Sequence, residues 1–273
     1  MLCNLKEAAR IAIAENSGLP AFNVFGYEDA AAVINAAERM NRPVVLMTNK
    51  VAVAHMGIPV LAGMLLEMAR RSEVPTCVHL DHATELADIR QAVDSGYTSV
   101  MIDGSQLPFD ENVAVTRAAV EIARPRGVSV EAEIGSVGYS DNADAKRRFT
   151  DPGEAERFAA LTGVDALAVA VGTVHRMETQ GVDLQFDLLR RIRQVVKIPL
   201  VIHGSTGVAD RDLRRLIECG AVKINMGTTL RMVFGQTLRE QIEENPKLFD
   251  RVEMYQKCMK AVEGKAIEKI KCL

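Results

Sequence analysis

PLVIHGSTGVADRDLRRLIECGAVKINMG (199–227) decides how this chain is built. It holds one apolar, β-rich run at 199–205, a helical stretch near 209–219 and a second such run at 221–227. Both runs are continuously apolar rather than alternating, which suits parallel strands covered on both faces. A helix between two such strands is the crossover that parallel pairing requires. The stretch therefore reads as one strand–helix–strand unit.

The unit recurs on either side. Further strand candidates are PAFNVF (20–25), PVVLMTN (43–49), TCVHLDH (76–82), SVMIDGS (99–105), VSVEAEIG (128–135) and ALAVAVG (166–172). Helical patterns lie near 28–41, 57–72, 84–95, 110–125, 151–162, 185–196 and 228–243. Asp151-Pro152-Gly153-Glu154 makes a good helix start, with a capping side chain, a first-turn proline and a first-turn acid. Eight strand–helix units in about 250 residues predict a closed (β/α)8 barrel, an α/β TIM-barrel fold, with residues 1–273 in one domain. A doubly wound open sheet is the alternative, because pattern alone does not show closure. An N-terminal helix (4–16) precedes the first strand, and C-terminal helices (228–243 and 250–270) follow the last, broken at Asn245-Pro246.

Composition narrows the function. A net charge of −3 argues against nucleic acid or an anionic membrane as partner. No apolar run reaches the roughly 18 residues of a spanning helix. MLCNLKEAARIAIAENS (1–17) is charged and helical in pattern, unlike a secretory signal. The five cysteines include no CxxC spacing, which points to a reducing, cytoplasmic setting. Cys77 and Cys219 read as small apolar core residues.

In such barrels chemistry sits at the C-terminal ends of the strands. There the sequence places Asn23, Asn49, Lys50, Asp81, His82, Asp103, Ser105, Glu133, His175, the turn His203-Gly204-Ser205-Thr206-Gly207 and the turn Asn225-Met226-Gly227-Thr228. Of five histidines, three close strand-like runs: His82, His175 and His203. Three imidazoles with one open position suit a catalytic Zn²⁺. His79 and His55 read as structural. Asp103 and Glu133 read as alternate ligands or as partners that orient the histidines. Gly204–Gly207 opens the following helix, where backbone N–H groups bind phosphate, and Gly227-Thr228-Thr229 offers a second such turn. GYSDNADAKRRF (138–149) reads as a long mobile loop at the barrel mouth.

At these residues the chain resembles the class II, zinc-dependent ketose-bisphosphate aldolases, most closely their shorter branch, which includes the tagatose- and fructose-bisphosphate enzymes. The matching segments are AFNVFGYE (21–28), HLDH (79–82), GYTSVMIDGS (96–105), GVSVEAEIGSVG (127–138), TDPGEAERF (150–158), TGVDALAVAVGTVH (162–175), LVIHGSTG (200–207) and VKINMGTTLR (222–231). They run in order over nearly the full length. The resemblance implies reversible retro-aldol cleavage of a ketose phosphate to a dihydroxyacetone phosphate unit and an aldehyde, with zinc stabilising an enediolate. It implies that His82, His175 and His203 hold Zn²⁺, and that Asp103 and Glu133 match an alternate metal position. Asp81 would act as acid/base on the C4 hydroxyl. Asp141, where glutamate is usual, would be the second proton-transfer group. Gly204, Ser205, Thr206, Asn225, Gly227 and Thr228 would cradle phosphate, with a monovalent cation near that site, and Asn23 would lie beside the substrate. A homodimer or homotetramer is also implied, with Val252, Met254, Met259 and Ile267 on the C-terminal helices as candidate surface.

Three departures fall at the substrate end. Arg176 stands where glycine is usual, Asn49 where serine or threonine is usual and followed by an atypical Lys50, and Gly138-Tyr139 where a double glycine is usual. They suggest an anionic ketose gripped by Arg176 or Lys50, with an ordinary ketose bisphosphate as the simpler option. Other functions remain open at this point: a Schiff-base aldolase using Lys223 or Lys50, a metal-dependent isomerase or epimerase, or a non-catalytic barrel that partners an aldolase.

Overall fold

Eight parallel strands close on themselves. They are β2 (Leu19–Asn23), β3 (Val44–Thr48), β4 (Thr76–Ala83), β5 (Ser99–Ile102), β6 (Ser129–Ile134), β7 (Ala166–Val169), β8 (Leu200–Ile202) and β9 (Ala221–Met226). Each pairs with its neighbour in sequence, and β9 pairs back onto β2, with Ala21 opposite Asn225. The open-sheet alternative is thereby excluded. The computed structural model describes residues 1–138, 148–175 and 183–273.

Alternation along each strand sorts the two faces of this sheet. Phe22, Val44, Leu46, Val78, Leu80, Val100, Ile102, Val130, Leu167, Val169, Leu200 and Ile202 point outward into the layer beneath the helices. That layer is covered by α2 (Tyr27–Met40), α4 (Ile58–Arg71), α5 (Leu86–Asp94), α6 (Phe109–Ala123), α7 (Pro152–Thr162), α8 (Phe186–Val195) and α9 (Asp210–Glu218). Leu19, Ala21, Val45, Met47, Cys77, Met101, Ala166, Ala168 and Val201 form a separate inner cluster. The N-terminal helix α1 (Leu5–Ala14) closes this interior from below with Leu5, Ala8, Ala9 and Ala12. Asn4 and Glu7 cap it reciprocally, each side chain accepting from the other's backbone N–H at 2.9 Å.

Two elements escape the sequence pattern. Leu2–Cys3, β1, adds a short strand beside the start of β4. A seven-residue helix, α3 (Lys50–Met56), fills the turn after β3; the Asn49 carboxamide oxygen caps it, accepting from Val51 and Ala52. Gly57, at φ +78°, then ends α3 and admits α4. His55 lies on α3, away from the strand ends.

After β9 come α10 (Thr228–Glu244) and α11 (Arg251–Lys271). Cys258, Val262, Ala266 and Ile270 of α11 are buried, and Met259 and Ile267 pack against the same outer core. Two of the four residues expected to be available for assembly, Met259 and Ile267, therefore cover this chain's own barrel. Val252, at 64% exposure, does not. Cys77 and Cys219 are buried, as core residues should be. Among the described residues no single helix is long and apolar enough to cross a membrane.

Gly204 joins β8 to the rim. Its φ is +65°, and a Cβ there would meet the carbonyl carbon of Val174 at 2.6 Å and the amide nitrogen of His175 at 2.9 Å. The missing side chain lets two rim loops touch. Gly204→Ala should lower unfolding free energy by roughly 1–3 kcal/mol in urea titration; an unchanged midpoint and slope would show that the loops do not depend on this contact.

Candidate active site

The end of β4 breaks its own alternation. Cys77, His79 and Asp81 take the inward positions of a strand, but His82 adopts φ +53°. That left-handed backbone is uncommon for a non-glycine residue. It turns two sequence neighbours, Asp81 and His82, toward the same mouth, where both line one cleft. His203 directly follows β8. His175 lies six positions beyond the end of β7, so it sits on a loop rather than closing a strand, and its amide donates to the Gly138 carbonyl at 3.1 Å.

The three rings meet nearly at right angles. Centroids are 4.6 Å apart for His82 and His203, 4.9 Å for His82 and His175, and 5.7 Å for His175 and His203. One nitrogen from each lies within 4.8 Å of the others. Hydrogen bonds fix which nitrogens these are. His82 Nδ1 is 2.7 Å from Asp103 Oδ2, and His203 Nε2 is 2.8 Å from Glu131 Oε1. A carboxylate only accepts, so both of these nitrogens carry hydrogen. The remaining pair, His82 Nε2 and His203 Nδ1, face each other at 2.7 Å. Two lone pairs cannot approach so closely without a proton or a metal between them. Carboxylate-oriented imidazoles are the usual surroundings of a bound metal, so the donor set fits a divalent ion.

Charge follows the same geometry. Burial alone would lower the His82 pKa, but Asp81 beside it and the hydrogen bond to Asp103 overcome this and push it to about 10. Burial, with the His82 charge, holds His203 and His175 well below the ordinary histidine value. Asp81 and Asp103 are buried, which opposes ionisation, yet His82 draws both below the usual carboxylate range. Glu133 goes the other way: burial and the Asp103 charge push it up to about 8. One of its oxygens accepts from Val137 N–H at 3.0 Å; the other, Oε2, is buried without a partner among the described residues. Glu133, Asp103 and His82 also offer atoms close enough for a second metal position.

Asp81 Oδ2 accepts from the Asn23 side chain at 2.8 Å, and Asp81 Oδ1 is buried and unpartnered among the described residues. The cleft around it is lined by Asn23, Asn49, Lys50, Asp81, the three histidines, Gly204, Ser205, Thr206, Asn225, Gly227 and Thr228. Thirteen residues chosen from sequence thus share one opening. Asp103 and Glu133 lie behind His82 rather than on the cleft wall. Asp141 and Arg176 lie outside the described residues.

Some expectations change. Ser205–Gly207 forms a 3-10 turn, and α9 starts only at Asp210, so the turn does not open that helix. Val208, an extended residue, separates the two. The Ser205 hydroxyl donates to the Asn225 carbonyl at 2.6 Å and so ties the two glycine turns together. Lys223 is not on the cleft: it is buried, with its Nζ 2.8 Å from Glu131 Oε2, which disfavours a Schiff-base role. Phe25, Val51 and Arg231 also line the cleft, beyond the residues that sequence singles out. The Arg231 guanidinium stacks 4.8 Å from the centroid of the Phe25 ring. Its place in the first turn after Gly227-Thr228 is a readable signal.

The model of the class II fructose-bisphosphate aldolase family matches residues 3–273. This chain belongs to that family. It is an aldolase, and so a lyase. The YdjI aldolase of Escherichia coli K12 is 32% identical, covers 100% of this chain and 97% of its own, and superposes with a TM-score of 0.89. A putative fructose-1,6-bisphosphate aldolase of Coccidioides immitis is 27% identical, with 98% and 95% covered and a TM-score of 0.90. The fructose-bisphosphate aldolase of Campylobacter jejuni, at 22% identity, 100% and 96% coverage and a TM-score of 0.86, shares the fold.

A raised His82 pKa implies that, without metal at neutral pH, a proton bridges His82 Nε2 and His203 Nδ1. Titrating Zn²⁺ into the metal-free aldolase near pH 7 should therefore release about one proton per ion. Apparent affinity should rise about tenfold per pH unit from 6 to 8, since that window lies wholly below the His82 pKa of about 10. Calorimetry in two buffers of different ionisation enthalpy measures this; a release near zero would show that His82 is already neutral.

Proposed function

We propose that this aldolase is zinc-dependent and reversibly cleaves a ketose phosphate to a dihydroxyacetone phosphate unit and an aldehyde. The observation that carries this reading is the convergence of three imidazoles beside the unpartnered Oδ1 of Asp81. His82, His175 and His203 would hold the ion, with Asp103 and Glu133 able to offer an alternate position. Bound Zn²⁺ would supply Lewis acidity for the charge that develops at the ketose C2 carbonyl.

The chain's own residues supply the rest. Retro-aldol cleavage begins with loss of the C4 hydroxyl proton. Asp81 is suited to accept it, being ionised at neutral pH, with one oxygen fixed by Asn23 and the other without a partner among the described residues. Asp141 is our candidate for proton transfer at the neighbouring carbon. The turns at Gly204–Thr206 and Gly227–Thr228, tied through Ser205 and Asn225, offer backbone N–H groups to the phosphate. A monovalent cation would sit beside it.

Lys50 and Arg231 favour a second anionic group on the substrate. Both are exposed on the cleft wall, and among the described residues neither has a carboxylate within ion-pair distance. Lys50 Nζ donates to Thr84 Oγ1 at 3.1 Å, which holds the ammonium at the rim. Arg176 would add to this charge. A ketose bisphosphate, as in the names of two of the similar enzymes, and a ketose phosphate with another acid group both meet the requirement. Exposed Phe249 and Val252 support association as a homodimer or homotetramer, which sedimentation velocity tests; five free cysteines support a cytoplasmic setting.

Cleavage of a ketose phosphate panel, read as triose release, should be lost with chelator and return with Zn²⁺. Zinc-loaded protein that cleaves no phosphorylated ketose would overturn the assignment. Asp81→Asn should lower kcat by about 10²–10⁴ while zinc stoichiometry stays at wild type. Lys50→Ala should raise KM for substrates with a second anion and leave those lacking it unchanged; equal effects on both would remove Lys50 from substrate recognition.

A further inference from the structure

Beneath the metal-binding rim, the barrel interior holds a charge pair that the reaction does not use. Glu131 on β6 and Lys223 on β9 are both essentially inaccessible, and their carboxylate and ammonium meet at 2.8 Å. Two strands, β7 and β8, separate them, so the contact crosses the barrel rather than running along it. The inward residues Ala166 and Ala168 of β7 are small, which leaves the space. Burying two charges in an apolar interior is expensive, and such a pair is seldom a net gain in stability over apolar residues of similar volume. Its presence calls for another explanation.

The second carboxylate oxygen gives one. Glu131 Oε1 lies 2.8 Å from His203 Nε2, while Oε2 is held by Lys223. His79, which bonds Ser99 Oγ at 2.7 Å through Nδ1, packs against the same carboxylate, its Nε2 4.0 Å from Oε2. The Asn225 side-chain amide lies 3.1 Å from His203 Nε2 on the remaining side, and an Nε2–H there pairs with this amide only through its oxygen, which has no other partner among the described residues. His203 is wholly buried, so no water selects its tautomer. The carboxylate does.

We infer that Glu131 and Lys223 act together as a positioning pair for the metal site: Lys223 anchors the Glu131 carboxylate, and Glu131 holds His203 in the Nε2–H tautomer that turns the Nδ1 lone pair to the metal. Asp103 does the same for His82 from the rim, leaving Nε2 as its free nitrogen. The site is thus oriented from two sides, one near the rim and one deep in the barrel. Neither Glu131 nor Lys223 lines the cleft. The inference rests on the reading of the three histidines as metal ligands.

The test replaces the pair as a unit. Glu131→Leu with Lys223→Met removes both charges at similar volume. Metal-free double variant should keep or exceed the wild-type thermal midpoint, yet its Zn²⁺ dissociation constant, measured by chelator competition, should rise about 10- to 100-fold. A folded variant with wild-type zinc affinity would overturn the inference, since a merely structural pair moves the midpoint and not the affinity. Wild-type protein that binds no zinc would overturn the metal reading as well, which separates the two failures. Long-range ¹⁵N–¹H correlation of the histidines in the metal-free wild type needs no variant. It should show His203 protonated at Nε2; protonation at Nδ1 alone would sink the proposal even if the double variant does not fold.

Discussion

A parallel sheet that closes points the C-terminal end of every strand at the same rim. Everything chemical in this aldolase depends on that constraint. Side chains separated by more than a hundred residues, such as His82 and His203, meet because β4 and β8 run in the same direction around one axis. Closure also seals the interior. Inward positions near the bottom are filled by apolar side chains and plugged by α1, while those nearer the rim become polar. The change from Met47 and Ala168 to Asp81, His203 and Asn225 is a change of depth along the same inward rows.

That depth explains what is legible in the sequence. Apolar runs bounded by turn residues mark all eight barrel strands, since parallel strands buried on both faces leave a strong signal. Histidine scarcity makes the trio His82, His175 and His203 stand out. Glu131 is hard to single out because VSVEAEIG presents Glu131 and Glu133 alike: both face inward, and only the strand's register shows that one lies beneath the three histidines and the other near the mouth. A seven-residue helix such as α3 is too short to declare a period, and its cap, Asn49, looks like an ordinary turn residue. His175 reads as a strand end because AVGTVH continues the apolar run, whereas β7 stops at Val169 and a loop carries the ring into place.

Polar groups inside the barrel are organised so that few are left without purpose. Asp103 and Glu131 each spend an oxygen on a histidine. Ser205 is committed to the Asn225 carbonyl, and Asn23 to Asp81. Among the described residues, the buried atoms without partners include Asp81 Oδ1 and Glu133 Oε2, which stand beside the histidines. Such atoms are costly to bury and are usually satisfied in a folded protein. These two stand at the mouth of the barrel, where a bound group could satisfy them, whereas others, such as His79 Nε2 and Gln241 Oε1, lie away from the cleft.

The left-handed backbone at His82 bears on how this centre can change over evolutionary time. Aspartate and asparagine adopt that conformation more readily than most side chains, and cysteine is not among the favoured residues. Exchange of the nitrogen donor for an oxygen donor is therefore accessible at this position with the main chain left in place. Exchange for sulfur carries a backbone penalty. For a metal held here, the main chain would make drift toward ions that favour oxygen easier than drift toward soft thiophilic ions.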